Sequence, residues 1–190
     1  METTEDRRLA ERAAAGDERA WREIYDRTRD RLFALLSYQL GDRDEALDCL
    51  QETFVHAVRS IGRYSGRGSL EGWLAVIAIR RAADWKRRVR NSLRKMAPLE
   101  EARVVATKDA PEPRFESESQ QLRDALGRLS KKQRAALLLR ELEEKSFAEI
   151  GGALGCSETT ARVHHHRARE RMQALLRPEV SAGGALCAEE

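Results

Sequence analysis

The sequence predicts an all-α protein: two small helical domains joined by a flexible linker, the second a three- to four-helix domain containing a helix-turn-helix. Three observations predict it. Patterned segments repeat their apolar residues at the helical i, i+3, i+4 spacing, and none alternates convincingly as a strand does. The pattern dissolves near residues 91–120, where Pro98, Pro111 and Pro113 stand among scattered charges. Of the 190 residues 35% are charged and only 5% aromatic, which is too little material for one large core. Two small lobes need less buried surface each.

The elements follow in order. Gly16-Asp17 breaks the first helical stretch, and Asp17 suits an N-cap. Trp21, Ile24, Tyr25, Thr28, Leu32, Leu35 and Leu36 then form one apolar stripe. Gly41-Asp42 resets the pattern in the same way. The next stripe is Ala46, Leu50, Thr53, Phe54, Ala57, Val58 and Ile61, with Gly62 expected to end the helix in the C′ position. Residues 63–69 are too rich in glycine for helix and read as a loop. Ser69 can cap a fourth helix carrying Leu70, Trp73, Leu74, Ile77, Ala78 and Trp85, which is expected to stop at the basic run Lys86-Arg87-Arg88. These elements make a first domain over residues 1–90, followed by a linker over 91–120.

Order returns near Gln121, with Leu122, Ala125, Leu126 and Leu129 as a stripe. Ser130 and Gln133 form an S-x-x-Q capping box for a helix bearing Ala135, Leu138 and Leu142. Ser146 and Glu149 form a second box for a short helix from Phe147 to Leu154. Gly155 stops it, Ser157 caps the next helix, and that one runs to about Leu176 before Pro178. The second domain is thus 121–177, with a disordered tail at 178–190.

Charge is distributed unevenly along a chain whose net charge is only +3. Between Arg80 and Arg90 six basic residues face Asp84 alone; between Glu100 and Ser119 six acids face three bases. Cys49, Cys156 and Cys187 form no CxxC pair, which excludes a disulfide framework and suits a reducing cytosol. The N-terminal segment lacks an apolar core, so no signal peptide is expected, and no run approaches the roughly 20 apolar residues that span a bilayer. A cytoplasmic protein is expected. No carboxylate pair, nucleophile–base set or phosphate-cradling loop stands out, and Gly66-Arg67-Gly68 lacks the Walker spacing. The expectation is a binding protein without catalysis, cofactor or small-molecule substrate.

The strongest chemical signal is the C-terminal pair of helices. A short helix, a three-residue turn holding Gly155 and a longer basic helix have the proportions of a helix-turn-helix, whose second helix enters the major groove. Ser157, Glu158, Thr159, Thr160, Arg162, Val163, His164 and His166 occupy its first turns, and Arg167, Arg169 and Arg171 follow within reach of phosphates. Arg162 suits bidentate reading of guanine, Glu158 can accept from cytosine, and Thr159 can touch a thymine methyl. A second signal joins Tyr64, Arg67, Ser69 and Trp73 around the glycine loop to Arg80, Arg81, Arg87 and Arg88 on the following helix. Aromatic rings beside cations are what unstacked bases need, although Trp73 and Trp85 at helical spacing also suit a core. The run His164-His165-His166 is no metal site: consecutive helical side chains diverge by about 100° and cannot close on one ion.

Three segments in register carry a resemblance. EALDCLQETFVHA (residues 45–57) resembles the DAEDLVQETFLRAW stretch of extracytoplasmic-function (ECF) sigma factors, of the sigma-70 family of RNA polymerase sigma subunits. YSGRGSLEGWLAVIA (64–78) is similar to that family's FRGRGSFRAWLYRIA. LSKKQRAALLLRELEEKSFAEIGGALGCSETTARVHHHRAR (129–169) resembles its helix-turn-helix region. The resemblance implies that Asp48, Gln51 and Glu52 dock on the β′ clamp of core RNA polymerase, whose β subunit is a further partner. It implies −10 recognition by the loop at 64–69 and the helix after it, with capture of an unpaired base as the duplex melts. It implies −35 recognition by the helix after Ser157, passage of the linker through polymerase channels, and control by an anti-sigma factor that clamps the two lobes together.

The chain departs from the family in places. Arg80 stands where Asn is usual, beside the −10 bases, and shifts contact towards phosphate. Val58 replaces a usual Trp and is expected to be a core adjustment. His164 and His165 replace Arg and Leu, with His165 on the buried stripe Ala161–Ala168–Met172. Gly151 and Gly152 replace Ala-Glu and weaken their helix by roughly 1 kcal/mol each. The rival reading is a helix-turn-helix transcriptional regulator that acts without core polymerase.

Overall fold

The computed structural model describes residues 2–96 and 117–176, and side chains at 4–85 and 120–176. The linker prolines, the tail and the side chains of Arg87 and Arg88 lie outside these described residues. Among the described residues there are eight α-helices and no strand. They are α1 (Glu2–Ala14), α2 (Glu18–Leu40), α3 (Arg43–Ser60), α4 (Leu70–Met96), α5 (Ser117–Gly127), α6 (Lys131–Glu141), α7 (Phe147–Leu154) and α8 (Glu158–Leu176).

The local signals set the helix ends. Asp17 accepts from the backbone N–H groups of Arg19 and Ala20, and Asp42 from that of Glu45, so each satisfies donors that a helix start leaves orphaned. Gly41 closes α2 in the left-handed region at φ 79°, where a side chain is strained. Both capping boxes form, Ser130 with Gln133 and Ser146 with Glu149.

Three local readings change. Gly62 does not adopt a left-handed C′ conformation, because α3 tightens instead into a 3-10 turn over Ile61–Arg63 that Tyr64 closes through its N–H to the Ile61 carbonyl. Helix α4 continues to Met96, past the basic run at 86–88; no glycine or proline interrupts it there. On α6, Leu142 is 45% exposed and Leu139 is fully buried, since the helix ends at Glu141 and the chain turns away.

Helices α2, α3 and α4 pack on one another, with α1 across α2 and α4; α6, α7 and α8 form the second bundle, braced by α5. The two bundles do not keep separate cores. A single apolar cluster runs from Leu9, Ile24 and Leu74 in the first to Leu139, Ile150 and Ala161 in the second, while Leu126, Leu129, Ala168 and Met172 form a smaller one. The junction is made by α4 against α7 and α6, and by α2 against α6.

Candidate nucleic-acid interface

The α7–turn–α8 unit is held by close backbone packing. Gly155 takes φ 62°, and the Cys156 N–H returns to the Gly151 carbonyl at 2.9 Å. A Cβ at Gly151 lies 2.7 Å from the Cys156 carbonyl oxygen, so glycine there is a requirement of the turn and not merely a weak helix former. Ser157 caps α8 by accepting from the Thr160 N–H at 3.1 Å.

The first turns of α8 are open to solvent. Ser157, Glu158, Thr159, Thr160, Arg162 and Val163 are all exposed, as are His166, Arg167 and Arg169. Arg162 pairs with Glu158 at 3.1 Å and lies 4.6 Å over the Phe147 ring, which orders the guanidinium on the exposed side. His164 is half-buried; burial first, then Lys132 and Arg167, push its pKa below the ordinary imidazole value. His165 is buried, as its place on the stripe predicts: its Nε2 meets Glu141 at 2.7 Å and its ring meets the edge of Phe147.

The glycine loop is shaped from within. Tyr64 is only 8% exposed and its hydroxyl donates to the Gly68 carbonyl at 2.7 Å. The tyrosine therefore supports the loop from behind and does not offer a free ring face. Trp73 is half-buried beside it, ring centroids 5.8 Å apart, so it packs on the tyrosine while staying partly exposed. Ser69 accepts from the Gly72 N–H, and the buried Asp6 of α1 accepts from the Leu70 N–H at 2.8 Å, so two side chains cap α4. Arg67 is exposed in the loop.

At His56 of α3 the surrounding charge is positive: burial first, then the charges of Arg81, Arg63, Arg59 and Arg80, push its pKa below the ordinary imidazole value. Arg81 is tied to Asp84 at 2.8 Å. Arg80 donates to the Gly152 carbonyl of α7 at 2.9 Å, a contact across the junction. Asp48 and Gln51 are exposed on α3 and Glu52 is half-buried. Beside them Leu47, Val55 and Val58 are 40%, 52% and 55% exposed, so Val58 is a surface residue and not part of the core.

Sequence reasoning missed the buried polar residues. Asp6, Arg134, Glu143 and Lys145 are each no more than 8% exposed. Arg134 carried one signal: it lies four residues before Leu138, on the buried face of α6. Arg59 and Arg63 went unnoticed because they belong to α3 and the 3-10 turn, and only the fold brings them beside Arg80 and Arg81.

Among the described residues no helix is long and apolar enough to cross a membrane. The sequence pattern described as Sigma-70 region 2 matches residues 24–92, and that described as Sigma-70, region 4 matches residues 119–172. The chain is 33% identical over 168 residues to the ECF RNA polymerase sigma factor SigE of Mycolicibacterium smegmatis, covering 86% of this chain and 65% of that longer protein. It is 33% identical over 166 residues to the RNA polymerase sigma factor CarQ of Myxococcus xanthus, covering 87% of this chain and 94% of that one. The fold is similar to that of the sigma factor RpoE of Bartonella quintana, solved in complex with the anti-sigma factor NepR: TM-score 0.66, 22% identity, 84% and 98% coverage. With both regions matched in order and a relative, CarQ, aligned over 94% of its length, this chain belongs to the ECF sigma factors of RNA polymerase.

Proposed function

We propose that this chain binds core RNA polymerase in the cytoplasm and directs it to promoters by recognising −10 and −35 elements, contributing no chemistry of its own. The observation that carries this reading is the start of α8. A capped helix presents Ser157, Glu158, Thr159, Thr160, Arg162 and Val163 to solvent at the end of a tight helix-turn-helix, the disposition that reads base edges in the major groove. Arg167 and Arg169 continue the exposed face towards phosphates. The cluster of Arg59, Arg63, Arg80 and Arg81 supports a path for the −10 strand, with Arg67, Ser69 and Trp73 at its loop. Arg87 and Arg88 extend that basic helix in sequence.

Asp48, Gln51 and Glu52 sit beside exposed Leu47, Val55 and Val58. An acidic and apolar patch of this kind suits docking on a basic coiled coil such as the β′ clamp. The region 2 and region 4 units are the residues before and after the linker, which on this reading passes between them along the polymerase and its β subunit. An anti-sigma factor is the partner that holds the protein inactive.

The experiment is reconstitution of purified protein with bacterial core enzyme on a library of promoter fragments. The expected result is initiation at a defined set of promoters that core alone ignores. Specific DNA binding without any initiation supports a regulator instead and overturns the proposal.

A further inference from the structure

Three side chains converge on one aromatic ring, that of Phe147. This first residue of α7 is half-buried and packs against the main apolar cluster. The Arg162 guanidinium of α8 stands over the ring at 4.6 Å from its centroid, and that of Arg140 of α6 at 5.0 Å. His165 meets the ring edge-on at a centroid distance of 5.4 Å, and its Nε2 lies 2.7 Å from Glu141 Oε1. Arg140 is itself held, since its Nη1 donates to the Lys145 carbonyl at 2.9 Å. The ring is thus anchored on its inner side, while the Arg162 side chain keeps 61% of its surface exposed. Attraction to a ring engages the charge and face of a guanidinium and leaves its in-plane N–H donors for hydrogen bonds. Glu158 accepts from one of these nitrogens, Nη2, at 3.1 Å.

We propose that Phe147 is a positioning residue for base selectivity: its ring holds the Arg162 guanidinium ready at the exposed start of α8, so that part of the −35 specificity resides on a residue of α7 that itself reads no base. The inference deepens the reading of α8 as the −35 helix and rests on Arg162 contacting a base edge. A free arginine samples many rotamers and loses that freedom on binding, so a side chain held in place beforehand binds at a smaller entropic cost. Bidentate recognition of guanine is geometrically strict and gains most from such holding. Glu158 is a weak holder by itself, because the pair is exposed on both sides and screened by solvent and salt. The ring contact instead strengthens as water is excluded, which is what a docked duplex does. Leucine or methionine at 147 would fill the same place but offer no π face to the cation.

A double-mutant cycle in the full chain tests this. Wild type is compared with Phe147→Leu, Phe147→Met, Phe147→Tyr, Arg162→Ala, and Phe147→Leu combined with Arg162→Ala, each first checked for folding by circular dichroism melts. Fluorescence anisotropy reads binding to a −35 duplex from a promoter recovered by reconstitution and to duplexes changed at single base pairs. Arg162→Ala identifies the base pair at which discrimination is lost. Phe147→Leu and Phe147→Met are expected to weaken binding to the cognate duplex about fivefold. On the duplex changed at that pair the loss stays below about twofold, and Phe147→Leu adds nothing once Arg162 is alanine. Phe147→Tyr keeps wild-type affinity and discrimination. An equal loss on every duplex, or a loss that persists in full beside Arg162→Ala, makes Phe147 a packing residue and overturns the proposal, as does unchanged binding. If Arg162→Ala itself weakens every duplex equally, the base-reading role of Arg162 is what fails, and the selectivity inference falls with it; that outcome is read without any Phe147 variant.

Discussion

Replacing Arg134 by methionine keeps the aliphatic stem and removes the guanidinium, whose stabilising role can be worked from the structure. Arg134 is 8% exposed. Its Nε donates to the Leu126 carbonyl at 2.7 Å, Nη1 to Tyr38 and Gln39 at 3.0 and 3.1 Å, and Nη2 to Gly127 and Leu129 at 3.0 and 3.4 Å. Four of the acceptors lie in the last turn of α2 or α5 and Leu129 just past α5, where most carbonyls lack helical partners, although that of Leu126 also accepts from the Leu129 N–H. Burial disfavours the charged form and pulls the Arg134 pKa down, so the gross gain is offset by desolvation. Five charged bonds at roughly 1.5–3 kcal/mol each cannot add, since their sum rivals the total stability of about 5–15 kcal/mol of a domain. Carbonyls at helix ends also regain water once the side chain is gone. Orphaning two of them at about 1–3 kcal/mol each, less the recovered desolvation, leaves a loss of about 3 kcal/mol. Urea unfolding followed by circular dichroism measures it. At a slope of up to about 3 kcal/mol/M the midpoint falls by at least about 1 M. Arg134→Lys recovers only part, because one ammonium cannot reach acceptors on two helices. A midpoint within about 0.3 M of wild type for Arg134→Met refutes the claim that the guanidinium ties the helix ends together.

Other substitutions have definite expected outcomes. Gly151→Ala forces a Cβ against the Cys156 carbonyl oxygen and lowers the melting temperature, whereas Gly152→Ala meets only Arg80 Nη2 at 3.9 Å and gains up to about 1 kcal/mol of helix propensity; thermal melts of the two variants separate these effects. Burial raises the Glu143 pKa above the ordinary 4.5 more than Arg31 and Lys145 lower it. Its contribution to stability is therefore fully present below pH 4.5 and lost as pH rises through the raised value. Glu143→Gln should remove that pH dependence without destabilising the protein at neutral pH, as paired unfolding curves at acidic and neutral pH will show. Arg162→Ala should cost roughly 1–3 kcal/mol in −35 affinity and relax specificity at one position; an equal loss on every sequence in a binding titration assigns Arg162 to phosphate instead. Substituting Gln51 and Glu52 should weaken binding to core enzyme and leave −35 duplex affinity unchanged, measured side by side by anisotropy.

The readings that held were those in which neighbouring residues decide the outcome. Asp17, Asp42, Ser130 and Ser146 cap helices because the donors they satisfy lie two or three residues away. Gly155 marks the turn of the helix-turn-helix because a left-handed residue is a local need. The exposed start of α8 was legible for the same reason: the stripe Ala161, His165, Ala168 and Met172 takes one face and leaves the other to solvent. Val58 and Leu142 were misplaced because periodicity names a face but not how fully it is covered; Val58 is left 55% exposed, and α6 ends before Leu142.

By itself, then, the sequence determined the helices, most of their capped ends and the chemical character of the exposed face of α8, all interactions within a turn or two of chain. Only the tertiary structure decided which surfaces those helices share. Arg80 and Gly152 are 72 residues apart in sequence, Arg31 and Glu143 are 112, and Tyr38 and Arg134 are 96. No period links residues at such separations. Their pairing depends on how two apolar faces meet, and so the single core across both bundles and the seat of Lys145 in the glycine loop emerge only in the folded chain.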